Sequence, residues 1–292
     1  MSVQTWNPSS LQVVDDDDIG VDLLGEVISW ESPQQVTISK LRDGLRLAGF
    51  PETMARDMLP RNAWLRAAHK LEDGRVIRKV EDAGGVMIFQ FTKEYFSGTA
   101  KEYSYNLETM LTLEKATGRV SCTVYELETQ AQKLIDEQMG VRSSSDVTRI
   151  VQTICRSQAD LFPIRKSGGV YFVPERHAWV IGSLGVLMNE IGGTLIRFPV
   201  PAGNETGRIS AAKAIRDELK SRISEHLEAI EGYTEDAPEV ALAKRSLDLV
   251  RMQGEIEGYQ VLLEGLTAEL HEHLAKARDA LIQKMVQASQ SA

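Results

Sequence analysis

Cysteine is almost missing from this 292-residue chain: Cys122 and Cys155 are the only two, and neither stands in a C-x-x-C or other metal-ligand spacing. Two isolated thiols exclude a disulfide framework and point to a reducing compartment, with both side chains acting as small hydrophobes. Aromatic residues make up only 6% of the chain, which goes with long helices. Long apolar runs are also lacking. Ala178 to Met188 is the longest largely apolar stretch, and its eleven residues fall short of the roughly 20 that a membrane-spanning helix needs. The opening MSVQTWNPSS has no basic-then-apolar layout of a secretory signal, so a cytoplasmic protein without membrane contact is expected.

The signatures of common active sites are missing as well. G-x-x-x-x-G-K-[ST], H-E-x-x-H, G-x-S-x-G and G-x-G-x-x-G do not occur, and the glycine pairs at 84–85, 168–169 and 192–193 read as turns. The five histidines are scattered, and no carboxylate pair stands out beyond an acidic tail and solvated helix faces. No catalytic residue, cofactor or metal ligand is therefore predicted, and an enzyme of unrecognised type stands as a third reading behind two non-enzymatic ones.

Positive charge is missing from one end. Residues 1–36 carry seven acids and no base; residues 37–79 reverse to a net +5, 80–140 carry −5, 141–207 carry +2 and 208–292 carry −4. Only two basic segments inside a protein of net charge −9 can meet a polyanion, which argues against sequence-independent coating of nucleic acid.

What is present is an ordinary globular composition, 42% apolar and 26% charged, in a chain long enough for about two domains. Residues 1–25, with the run Asp15 to Asp18, show no periodic apolar face and read as a disordered acidic tail that can fold back on the basic segments. Residues 26–125 read as a small helical subdomain and a β-meander. A short strand around Trp30 precedes three helices: Ile38 to Ala48 with Gly49 as its cap, Pro51 to Leu59, and one opened by Pro60. Arg61 and Arg66 on the last of these are candidate phosphate contacts. Arg75 to Val80, Val86 to Thr92, Lys101 to Glu114 and Arg119 to Tyr125 then follow period two and read as an antiparallel meander. Phe89 and Phe91 share one face, as do Tyr103, Tyr105 and Leu107; core packing and base stacking are both open to such faces.

Residues 126–200 read as a small α+β unit. Its clearest design is a helix from about 145 to 159, with Val147, Ile150, Val151 and Ile154 on one face and Ser145, Arg149, Gln152 and Arg156 on the other. Ser143 to Ser145 or Asp146 can cap it. A hairpin over 162–174 follows, turning at Ser167-Gly168-Gly169. Helix 126–139, turn, helix 145–159 and hairpin in this order resemble the second half of a winged helix-turn-helix module, over residues 124–174. The resemblance implies that the second helix enters the DNA major groove through Ser145, Arg149, Gln152 and Arg156, and that Arg165 and Lys166 on the wing touch the backbone.

Residues 208–292 read as a long helical hairpin. One helix runs from Arg208 to Ile230. After a break at Gly232 to Pro238 a second helix of about 45 residues carries a heptad seam that includes Leu249, Met252, Ile256, Tyr259, Leu263, Leu266 and Leu270. This coiled-coil-like seam is the predicted self-association surface, binding a second copy or a helical protein partner.

The sequence thus predicts an α+β protein: a non-enzymatic, cytoplasmic, DNA-associating or regulatory homo-oligomer that contacts double-stranded DNA. The alternative is a scaffold protein in which the same basic stripe engages another protein, including the acidic tail of a neighbour.

Overall fold

The computed structural model describes residues 22–97, 102–234 and 237–291; most of the predicted acidic tail, residues 1–21, lies outside them. The fold is α+β and, over the described residues, divides into two compact units, one within 30–159 and 179–195, the other within 22–29, 160–178 and 196–291.

In the first, the meander unit, β2 (Gln35–Thr37) leads into α1 (Ile38–Leu47), whose first turn is closed by the Thr37 hydroxyl accepting from the Lys40 amide at 3.3 Å. The helix predicted over 51–59 is absent; only a 3-10 turn at Glu52–Met54 forms. Pro60 disfavours helical backbone at Leu59, which is extended, and Arg42 holds the carbonyl of Ala55 at 3.1 and 3.3 Å. α2 (Pro60–Ala67) then packs Trp64 on the meander of β3 (Arg75–Ala83), β4 (Val86–Ser97), β5 (Glu102–Glu114) and β6 (Val120–Ser121). The ring centroids of Trp64 and Phe89 are 5.0 Å apart, and those of Trp64 and Phe91 6.3 Å, so these two phenylalanines belong to the core. Tyr105 and Leu107 are exposed instead. The fourth strand is shorter than expected because side chains of the next helix take its amides: Val120 N donates to Gln132 at 3.0 Å and Cys122 N to Glu128 at 2.9 Å.

That helix, α3 (Tyr125–Gly140), closes the same core through Leu127, Ala131 and Ile135. β7 (Val141–Ser143) pairs antiparallel with β2, and α4 (Ser144–Gln158) begins at once. Ser143 is its N-cap, in a capping box with Asp146: the Asp146 amide donates to the Ser143 hydroxyl at 3.3 Å and the Ser143 amide to the Asp146 carboxylate at 3.0 Å. Val147, Val151, Ile154 and Cys155 are buried, and burial pushes the Cys155 thiol up to about 12. α5 (Ala178–Ile191) packs Leu187 and Ile191 where a side chain on Gly44 of α1 would stand.

In the second, the bundle unit, β1 (Leu23–Glu31), β8 (Phe162–Pro163), β9 (Tyr171–Pro174) and β10 (Thr194–Pro201) form a sheet in the order β10-β1-β9-β8. The strand begins inside the predicted tail, at Leu23. Gly25, with φ +148°, lies so close to Val173 that a Cβ would stand 2.2 Å from its carbonyl oxygen, which excludes every other residue there. The predicted hairpin forms, with Gly168 and Gly169 at φ +71° and +84°.

Helices α6 (Glu205–Glu231), α7 (Glu239–Gly258), the single turn α8 (Gln260–Leu263) and α9 (Thr267–Ser291) complete the unit. The predicted 45-residue helix is broken: Glu264 takes φ +22° and Gly265 φ +71°, and the chain doubles back. This corrects the assignment of the seam. Leu249, Met252, Ile256, Tyr259, Leu263 and Leu270 are buried in the core that α6, α7, α8 and α9 build together, with Leu266 packed against it, so these residues face their own chain. Arg222 with Glu255 at 2.7 Å and Lys220 with Glu269 at 2.5 Å tie α6 to α7 and α9. Tyr259 also donates to Asp160, which accepts from Arg176 and His177 as well, and these three donors hold the Asp160 carboxyl below its ordinary range although burial opposes them. Among the described residues no helix is long and apolar enough to cross a membrane.

Candidate functional site: a basic cleft beside α4

The residue before the α4 cap carries the most unusual charge in the meander unit. Arg142 is 5% exposed and its guanidinium donates to three carbonyls: Met139 at 3.1 Å, Val141 at 2.6 Å and Arg56 at 2.6 Å. Carbonyl dipoles solvate the cation without neutralising it, and burial lowers its pKa from the usual arginine value.

Arg142 lines an open cleft of about 790 Å³ together with Thr53, Met54, Ala55, Arg56, Asn62, Asp146, Arg149, Ile150 and Thr153. Asp146, Arg149, Ile150 and Thr153 recur at helical spacing, so one face of α4 makes the wall. The opposite wall is the irregular segment after α1, pinned at Ala55 by Arg42 and at Arg56 by Arg142.

Charge in the cleft does not balance. Asp146, the single carboxylate in its lining, is held by Arg66 through two hydrogen bonds of 2.6 and 2.8 Å. That fork, with the Ser143 amide and hydroxyl, keeps the Asp146 carboxyl well below the usual range. Among the described residues no carboxylate forms an ion pair with Arg56, Arg142 or Arg149. Three guanidinium groups, two hydroxyls and an amide thus share a concave surface whose only acid is already taken. The N-terminal end of a fifteen-residue helix adds its positive dipole end. Such a lining suits an oxyanion with several acceptor oxygens; it holds neither histidine nor cysteine.

The predicted contact residues divide. Ser145, Arg149 and Arg156 are exposed on α4, Gln152 is half-buried there, and only Arg149 of the four lines the cleft. Arg66 is bound to Asp146, and Arg61 lies 3.2 Å from Asp82. Asp82 also meets Lys79 and Lys115, whose hydrogen bonds lower its carboxyl to about 2. These two arginines therefore hold the unit together. Arg165 and Lys166 belong to the bundle unit, where Arg165 donates to the Gly168 carbonyl at 2.6 Å and Lys166 is exposed. Helix and hairpin thus sit in different compact units.

Sequence reasoning missed Arg142 and Asn62 and placed Arg56 only among the basic residues of the helical subdomain whose surface could meet phosphate. A lone arginine just ahead of a cap in Gly140-Val141-Arg142-Ser143 was the available signal for the first. Its burial depends on the carbonyl of Arg56, which periodicity cannot reveal.

No curated protein and no solved structure matches the chain. A family of unknown function (DUF6744) matches residues 23–290, nearly all of the sequence and both units, and the chain belongs to that family.

Proposed function

We propose that the protein is a non-enzymatic, DNA-associating protein whose meander unit meets phosphates through α4 and the cleft beside it. The observation that carries this reading is the gathering of Arg56, Arg142 and Arg149, none of them in an ion pair among the described residues, on one concave surface. Folding proteins rarely bury a cation without a carboxylate, and a site that keeps three guanidinium groups together invites a polyanion. Arg149 and Arg156 lie seven residues apart on α4, about 10 Å along its axis, so the helix offers two phosphate contacts. The acidic remainder of the chain, net −9 overall, limits binding to this face.

Fluorescence anisotropy of a labelled duplex at low salt tests the reading. Binding that weakens about tenfold in an Arg149→Ala, Arg156→Ala variant, with an unchanged melting temperature, is expected. An unchanged signal on titrating the intact protein rejects it; saturable binding of a polyglutamate peptide in the same assay would move the site to the scaffold reading.

A further inference from the structure

The cleft beside α4 has the size and lining of a site for a small anion with a body attached. Its volume of about 790 Å³ falls within the roughly 300–1,000 Å³ of pockets that enclose small molecules. Arg142 in its lining is 5% exposed. Of the five N–H groups of a guanidinium, three of those on Arg142 go to the carbonyls of Met139, Val141 and Arg56, which leaves two without a partner among the described residues. Arg56 and Arg149 enter the same lining from opposite walls, exposed and in no ion pair among the described residues. The two acids that act on Arg142 are both held elsewhere, Asp146 by Arg66 and Asp57 by Arg42 at 2.9 Å. Beside these cations stand Met54, Ala55 and Ile150, none of them exposed, and the amide of Asn62. Inorganic phosphate has no use for an apolar wall. A phosphate joined to a flat, partly apolar ring does, because the ring can lie on methionine, isoleucine or a guanidinium plane while the amide meets its polar edge.

We infer that the cleft takes the phosphate monoester of a nucleotide, the group shared by the 5′-phosphorylated end of a DNA strand and a free nucleoside monophosphate. The inference rests on the reading of this cleft as a phosphate site and narrows it. A monoester presents three acceptor oxygens and, with a second pKa of about 6, a charge of about −1.5 to −2 at pH 7. A phosphodiester inside a strand carries a single charge and two outer oxygens. Three guanidinium groups gathered in one recess stabilise the dianion more than the monoanion. The third oxygen gives the two remaining N–H groups of Arg142 an acceptor, in charge-assisted hydrogen bonds that reward the extra charge. A chain end can also enter a recess with its terminal base, whereas the backbone of an intact duplex offers the cleft only its outer edge.

Calorimetric titration of the full chain with adenosine 5′-monophosphate and with the 3′,5′-cyclic monophosphate, a diester of the same nucleoside, tests the inference. The monoester is expected to bind about tenfold or more tightly than the cyclic diester. Arg56→Ala should bring the two within about twofold at an unchanged melting temperature, because its side chain is exposed and its carbonyl still receives Arg142. Anisotropy of a 3′-labelled duplex with either a 5′-phosphate or a 5′-hydroxyl then separates the sources. Tighter binding of the phosphorylated duplex identifies the DNA end, and equal binding identifies the free nucleotide. Equal affinity for monoester and cyclic diester, binding of neither, or a preference that survives Arg56→Ala would overturn the inference. The phosphate reading would still stand in those cases if duplex binding weakens in the Arg149→Ala, Arg156→Ala variant, and would fall with the inference if no duplex binds.

Discussion

The bundle and the cleft treat charge in opposite ways. In the bundle, arginines and lysines on α6 meet acids on neighbouring elements: Arg222 with Glu255, Lys220 with Glu269, and Arg208 with Glu264 at 2.9 Å. The apolar seam is likewise closed inside the chain. In the cleft, Arg56, Arg142 and Arg149 form no ion pair with a carboxylate among the described residues, and Asp146, the one carboxylate in the lining, is held by Arg66. Charges that the fold consumes report on stability, and charges that it leaves unmatched report on what the fold is for. Substitutions in the two places should therefore separate cleanly.

The largest effect is expected in the bundle. Ile256→Ala, at a fully buried position, should cost about 3 kcal/mol by chemical denaturation through lost burial and an unfilled cavity. Duplex affinity measured well below the transition should stay as it was. Equal loss of affinity would break the comparison.

Asp146 joins the two categories, because it caps α4 and neutralises Arg66. Asp146→Asn should cost about 2 kcal/mol at pH 7, the scale of a charge-assisted hydrogen-bonded pair with a cap. Its carboxyl is depressed in the folded state, so its contribution is present above the unfolded value of about 4 and is lost as the pH falls through that value toward the folded one. Urea midpoints from pH 7 down to pH 2 should fall for the natural chain and fall less for Asp146→Asn. Parallel curves would show that the Arg66 fork contributes little.

Arg149→Ala sharpens the comparison from the other side. Its stability should remain within about 0.5 kcal/mol, as for surface substitutions elsewhere. The smallest effect is a gain: Glu264 holds φ +22°, and Glu264→Gly should raise the unfolding free energy by about 0.5 kcal/mol, reduced by loss of the Arg208 contact. A melting scan reads it directly.

Much of the fold was legible in local pattern. The meander strands, the capped helix at Ser143 and the glycine turn at 168–169 rest on periodicity and on single residues whose conformations leave few choices. The bundle was misread for a physical reason. A heptad seam is the same whether its partner is another chain or the same chain folded back, and the decision lay in Glu264-Gly265, where only one of the two residues signals a turn. At the site, Arg149 was legible from the two faces of α4, whereas Arg61 and Arg66 looked alike until Asp82 and Asp146 were seen to hold them. Ionic partners 80 residues apart in sequence leave no local trace.

The salt dependence of duplex binding tests the central claim most directly. If phosphates meet the unmatched arginines, log K should fall linearly with log salt concentration, and replacing Arg149 and Arg156 by alanine should make the slope shallower by about 2. A slope that is flat in the natural chain, or identical in the variant, would contradict the account.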